Sequence, residues 1–197
     1  MIQASLVLEE QGGSVSSIPP GIHKEIIFQG VILEGDWIDI KYQSAQGQVI
    51  RKRLFKPTGS MQFPIKVDGV ERLETPEESL KREQMRNLGI LSTAMKAAMP
   101  LDLFNAFKAK DYSEFVAKAA VEVNKFKGAK VNLKVVGKQV KDKVSGKVNI
   151  YSDIQNYPGF AEAFVEGVEP TLVFSKKELD ALEIKAPVQP KSEDLGI

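Results

Sequence analysis

The chain has 197 residues, with 27 Lys and Arg against 26 Asp and Glu, a net charge of +1, and 43% hydrophobic residues. That is an ordinary globular composition of one-domain size, neither disordered nor collagen-like. The absence of Cys excludes disulfides, thiol catalysis, iron–sulfur clusters and Cys-based zinc, and a single His leaves almost nothing for a triad or metal site.

No run reaches the roughly 18 apolar residues of a membrane span. Met1-Ile2-Gln3-Ala4-Ser5 lacks the basic patch and apolar run of a signal peptide. The expectation is a soluble, cytoplasmic, non-enzymatic protein with no cofactor and no metal.

The first part of the chain reads as β. Leu6-Val7-Leu8 ends at Gly12-Gly13, and Ile18-Pro19-Pro20-Gly21 is a turn signal. His23 to Leu33 predicts a long strand, with Gly30 as a bulge or bend. In Asp36 to Tyr42, Ile38, Ile40 and Tyr42 share one face, while Trp37, Asp39 and Lys41 share the other. Ala45 to Gln48 predicts a hairpin connection into Val49 to Lys56, and Pro57-Thr58-Gly59 closes the unit.

The middle switches to helical period. Thr75-Pro76-Glu77-Glu78 is a capping box with proline at the first helical position. A stripe of Leu80, Gln84, Leu88, Leu91 and Met95 predicts a helix to about Ala98. Leu101 to Lys108 predicts a short helix. Asp111 caps another, carrying Phe115, Ala119 and Val123 and stopping at Gly128.

Strands return at Lys130. Val131, Leu133 and Val135 alternate with Lys130, Asn132 and Lys134. A Lys-rich turn from Gly137 to Gly146 leads to Lys147–Tyr151, where Val148 and Ile150 alternate with Lys147, Asn149 and Tyr151. A short helix is expected over Pro158 to Phe164, a last strand over Thr171 to Phe174, and a helical turn over Lys176 to Leu182. The expected fold is α+β and mainly β: a small barrel of five or six strands with a helical block inserted at about 75–127. An α+β sandwich is the alternative. Residues 1–185 form the single domain, and 186–197 form a Pro-containing, acidic, flexible tail.

Charge is distributed unevenly. From Lys41 to Lys56 there are five cations and no acid, and from Lys127 to Ile150 seven lysines face Asp142 alone. The compensating acids lie elsewhere, at the capped helix start, at Glu162, Glu166 and Glu169, and from Glu178 onward, where five acids stand against Lys185 and Lys191. Alternation places Trp37 and Lys41, Lys130, Asn132 and Lys134, and Lys147, Asn149 and Tyr151 opposite the apolar faces. Arg51 and Arg53 lie on the strand after Lys41. Lysines and arginines neutralise a phosphate backbone and flat rings stack on unpaired bases, so single-stranded nucleic acid fits such a surface. Lysines on strands also serve simply as solvated edge protection.

Other candidates are weak. Asp36 and Asp39, three apart in a strand, point to opposite faces. His23 reads as a surface or locally satisfied residue. The common phosphate loops are absent from the sequence. Tyr157-Pro158-Gly159-Phe160 reads as a plug at the end of the barrel, or as an extension of the stacking platform.

The residues Pro20-Gly21-Ile22-His23, Trp37 to Tyr42 with a basic hairpin partner, Lys130 to Val135, and Val148 to Tyr151 before Tyr157-Pro158-Gly159-Phe160 form a pattern. It resembles the phage-type single-stranded DNA-binding proteins, built on an oligonucleotide-binding (OB) fold with helices between early and late strands. The resemblance implies non-catalytic, largely sequence-independent binding of single-stranded DNA in replication or recombination. Lys41, Arg51, Arg53, Lys130, Lys134 and Lys147 would contact phosphates, and Trp37 and Tyr151 would stack on bases. Asn132 and Asn149 complete the set on the same faces. Ser192-Glu193-Asp194-Leu195-Gly196-Ile197 is similar to the acidic tails with which such families recruit replication proteins. No membrane partner is expected, and a homo-oligomer stays open. Two other classes also stay open: a phage virion or assembly protein using the basic β-face as a protein interface, and a nuclease accessory or phosphoryl-transfer protein, which would need clustered carboxylates or a phosphate loop.

Overall fold

A computed structural model of the chain describes residues 17–141, 146, 148–155 and 159–181. The expected Leu6–Leu8 strand, the middle of the Lys-rich turn, Lys147, Tyr157, Pro158 and the tail lie outside the described residues.

Six strands form the main sheet: β1 (Gly21–Glu34), β2 (Trp37–Gln43), β3 (Val49–Phe55), β6 (Lys130–Lys141), β7 (Val148–Ile154) and β8 (Ala161–Ala163). Their spatial order is β3-β2-β1-β6-β7, all antiparallel, with β8 also paired to β6. A separate two-stranded hairpin comprises β4 (Pro64–Val67) and β5 (Val70–Leu73). The helices are α1 (Pro76–Ala98), α2 (Leu101–Ala106), α3 (Tyr112–Val123) and the short α4 (Lys176–Asp180). The protein is therefore α+β with a mainly antiparallel sheet, and α1–α3 lie between β5 and β6 as expected.

The long strand β1 is bent where the sequence suggested. The register shifts between Phe28 and Gly30, and Gly30 takes φ +115°, a conformation costly for other residues. The bend admits Asn124, which follows α3. Its Oδ1 accepts from the Val31 N–H at 2.7 Å and its Nδ2 donates to the Val31 carbonyl at 2.8 Å. A Cβ on Gly30 would stand 2.5 Å from that Oδ1. One side-chain amide thus ties the helical block to the sheet.

Ile38, Ile40 and Tyr42 are buried on the inward face of β2, as the alternation predicts. They meet Ile90, Leu91 and Met95 of α1 and Val131, Leu133 and Val135 of β6 in one core. At about 25 cal/mol per Å² of apolar surface removed from water, this burial is the main stabilising term.

The stripe on α1 is displaced from the one the sequence suggests. Leu91 and Met95 are buried, but nearer the N-terminus the buried residues are Ser79, Glu83 and Asn87, with Leu80, Gln84 and Leu88 only half-buried. The physical reason is what this half of the helix faces. It covers the irregular connection after β3, whose backbone needs polar partners. Ser79 Oγ donates to the Met61 carbonyl, Glu83 accepts from the Thr58 and Gly59 N–H groups, and Asn87 donates to the Phe55 carbonyl. The capping box forms as expected, with Glu78 held down to about 2 by Arg72 and the Thr75 N–H.

Barrel closure would require a ladder between β3 and β7, and none forms among the described residues. The sheet instead curls until a side chain spans the gap. Buried Lys52 leaves β3 and donates to the Asp153 carboxylate at 3.1 Å and to the Ile154 carbonyl. Burial pushes the Lys52 ammonium below its ordinary value, and Asp153 opposes that.

Two other expectations change, and one hairpin appears that was not expected. Where a short helix is expected over Pro158 to Phe164, Ala161–Ala163 instead form β8, with Glu162 opposite Asn132. Thr171 to Phe174 forms no ladder; Val131 and Leu133 already pair with β1 on one side and β8 on the other. The β4–β5 hairpin was missed, although Asp68-Gly69 between two apolar residues, with φ +50° and +85°, is a known hairpin signal.

Candidate nucleic-acid interface

The register of β2 and β3 assembles the first group. Trp37 lies opposite Phe55, Asp39 opposite Arg53, and Lys41 opposite Arg51, all on the face turned away from the core. Directly opposed residues of antiparallel strands are near neighbours. Arg53 donates two hydrogen bonds to Asp39, at 2.8 and 2.7 Å, and its guanidinium lies 4.6 Å from the Trp37 ring centroid. The Trp37 indole N–H donates to Glu34 at 3.1 Å. Its ring is thereby fixed from two sides.

Asp39 is almost fully buried beneath these cations. The Arg53 hydrogen bonds hold its carboxyl below the usual range despite its burial, helped by the charges of Arg53, Arg51 and Lys41. Buried Asp39 and, beside Trp37 and Arg53, Glu34 thus stand against three cations, leaving the patch with one net positive charge. Arg51 is 59% exposed and 3.9 Å from Asp39, and Lys41 makes no ion pair among the described residues. Phe55 is 64% exposed on the same face. Sequence reasoning missed it, although its place in β3, two residues after Arg53, sets its face.

The second group behaves differently. Lys130, Asn132 and Lys134 do share the outward face of β6, but the chain from Phe164 to Asp180 crosses it. Lys134 is 5% exposed and donates to the Val173 carbonyl at 3.0 Å and to Glu178 at 3.3 Å. Asn132 is 2% exposed and donates to Glu162, which also accepts from the Thr171 N–H and hydroxyl. Lys130 is exposed, 2.8 Å from Glu25 and 5.6 Å from the Phe164 ring. Alternation identified the face correctly but could not reveal the segment laid over it. The Ser175 capping box positions Glu178. Burial would raise the Glu178 carboxyl, yet the Ser175 N–H, the Ser175 hydroxyl and Lys134 bring it below its ordinary value.

On β7, Tyr151 is 55% exposed directly opposite Lys138, and Asn149 lies opposite Val140. Lys147 is outside the described residues. The ten predicted residues thus divide: Trp37, Lys41, Arg51 and Arg53 form one open patch, Asn149 and Tyr151 lie across the β3–β7 gap, Asn132 and Lys134 are covered, Lys130 is exposed but paired to Glu25, and Lys147 is outside the described residues.

Of the weaker candidates, Asp39 belongs to the first group through Arg53 and Asp36 lies beside Trp37, while His23 and Phe160 stay apart. His23 Nε2 meets the Pro19 carbonyl at 2.8 Å, and Phe160 is fully buried in the core. No helix among the described residues is long and apolar enough to cross a membrane. Comparison with protein-family models, with curated proteins and with solved structures finds no match to this chain.

Proposed function

We propose that this protein binds single-stranded DNA without catalysis and largely without sequence preference, in replication or recombination, after the manner of the phage-type proteins it resembles. The observation that carries the reading is the outward patch of β2–β3. A guanidinium stacked on an indole, with an exposed phenyl opposite, offers planar surface to unpaired bases. Lys41 and Arg51 beside it offer charge to phosphates. The curled antiparallel sheet with its inserted helices supports an OB-like frame for this patch. Tyr151 and Lys138 extend the path across the gap, and the acidic C-terminal stretch is the natural recruiter of replication proteins.

The test is fluorescence anisotropy of a labelled oligo-dT at several salt concentrations, with a matched duplex as competitor. Wild type binds oligo-dT in preference to duplex. Arg51→Ala lowers the slope of log K against log salt by about 0.7, the value for one phosphate on a single strand. Trp37→Ala costs about 1–3 kcal/mol of affinity, the range for one stacked base. Equal, weak binding of single and double strands would favour a second reading, a virion or assembly protein that uses this face against an acidic protein. Exposed Phe55 on this face favours that reading.

A further inference from the structure

At the end of the β2–β3 patch lies a notch of about 270 Å³ between the β1–β2 turn and α3. Its walls are Leu33, Ile38, Val116 and Ala117, and Trp37 and Lys56 also line it. Small-molecule sites commonly measure about 300–1,000 Å³, so this one suits a single planar ring system and little more. Leu33 is 45% exposed there, a large apolar side chain that nothing among the described residues covers.

We propose that the notch receives one unpaired base of the bound strand, turned out of the stack that runs over Trp37 and Phe55. This rests on the reading of the patch as a single-strand surface. Three features point to a base as occupant. The notch is continuous with the patch, because Trp37 belongs to both. Lys56 makes no ion pair or hydrogen bond through its ammonium among the described residues, so it is available to the phosphate of the turned-out nucleotide. Asp36 and Ser113 also line the notch, offering an acceptor and a hydroxyl to the polar edge of a base whose faces meet apolar walls. The backbone beneath is braced, since the Lys56 N–H donates to the Asp36 carbonyl at 2.7 Å.

The experiment fills the notch and moves a missing base along the ligand. Ala117 and Ser113 are exposed on α3, so Ala117→Phe and Ser113→Tyr add a ring without disturbing the core. Thermal melts of both variants establish that they fold. Each protein is titrated with intact oligo-dT and with a series carrying a single abasic site at successive positions. For wild type, one abasic position costs about tenfold in affinity, within the range for one stacked base. For the filled variants, intact oligo-dT binds about tenfold more weakly. Their sensitivity to that same abasic position is gone, and the slope of log K against log salt falls by no more than about 0.7, the share of the single Lys56 contact to the turned-out nucleotide. Folded variants that bind every oligonucleotide as wild type does would overturn the notch alone. Failure of wild type to bind any single strand would overturn the reading of the patch beneath it.

Discussion

At the scale of single residues, two arrangements depart from simple burial rules in instructive ways. Asp39 is a carboxylate almost without solvent, kept ionised by Arg53 more than by any other group. Its folded pKa lies below the ordinary 3.8, so the folded state holds the proton less tightly than the unfolded chain. Its contribution to stability is present above that ordinary value and is lost as pH falls through the depressed one. Acid unfolding should therefore begin earlier for Arg53→Ala than for wild type, by circular dichroism across a pH series. Tyr42 is the opposite case. Its ring packs edge-on against Phe28, with centroids 5.8 Å apart, but its hydroxyl is buried and finds no partner among the described residues. Burial pushes its pKa upward. An unsatisfied buried hydroxyl costs about 1–3 kcal/mol. Tyr42→Phe is accordingly expected to raise stability by about 1 kcal/mol in urea denaturation, a result opposite to most core substitutions.

At the scale of elements, the helical block is held to the sheet at Gly30. Gly30→Ala forces a side chain onto Asn124 in a backbone conformation that disfavours it, and should cost about 1–3 kcal/mol. Gly30 was recognisable as a bend because glycine interrupted an otherwise apolar, β-branched run. The capping boxes at Thr75 and Ser175 illustrate the same principle, since their partners lie within four residues. What local pattern could not supply was the identity of distant neighbours. The buried polar stripe of α1 faces backbone groups of residues 55–61, and no periodicity within the helix encodes that. The alternation of Lys130, Asn132 and Lys134 likewise located an outward face but not the segment covering it. The patch on β2–β3 was legible because both strands and the turn joining them are contiguous in sequence, so register follows from the hairpin.

For the whole molecule, near-neutral charge hides a division of labour. Part of the positive charge on the sheet is met internally, by Glu178 at Lys134 and by Glu25 at Lys130, while Lys41, Arg51 and Lys56 face outward. The Glu178 carboxyl is depressed below 4.5, so its hold on Lys134 is complete above that value and weakens as pH falls through the folded one. Hydrogen exchange should accordingly accelerate in residues 171–181 at acid pH before the central strands respond. The central claim, that the open patch binds unpaired bases, is most directly tested at Trp37, the only tryptophan in the chain. Its intrinsic emission should be quenched saturably by oligo-dT at low salt, and the quenching should reverse as salt is added. Unchanged emission while anisotropy reports a formed complex, or no binding at low salt by either signal, would contradict the account.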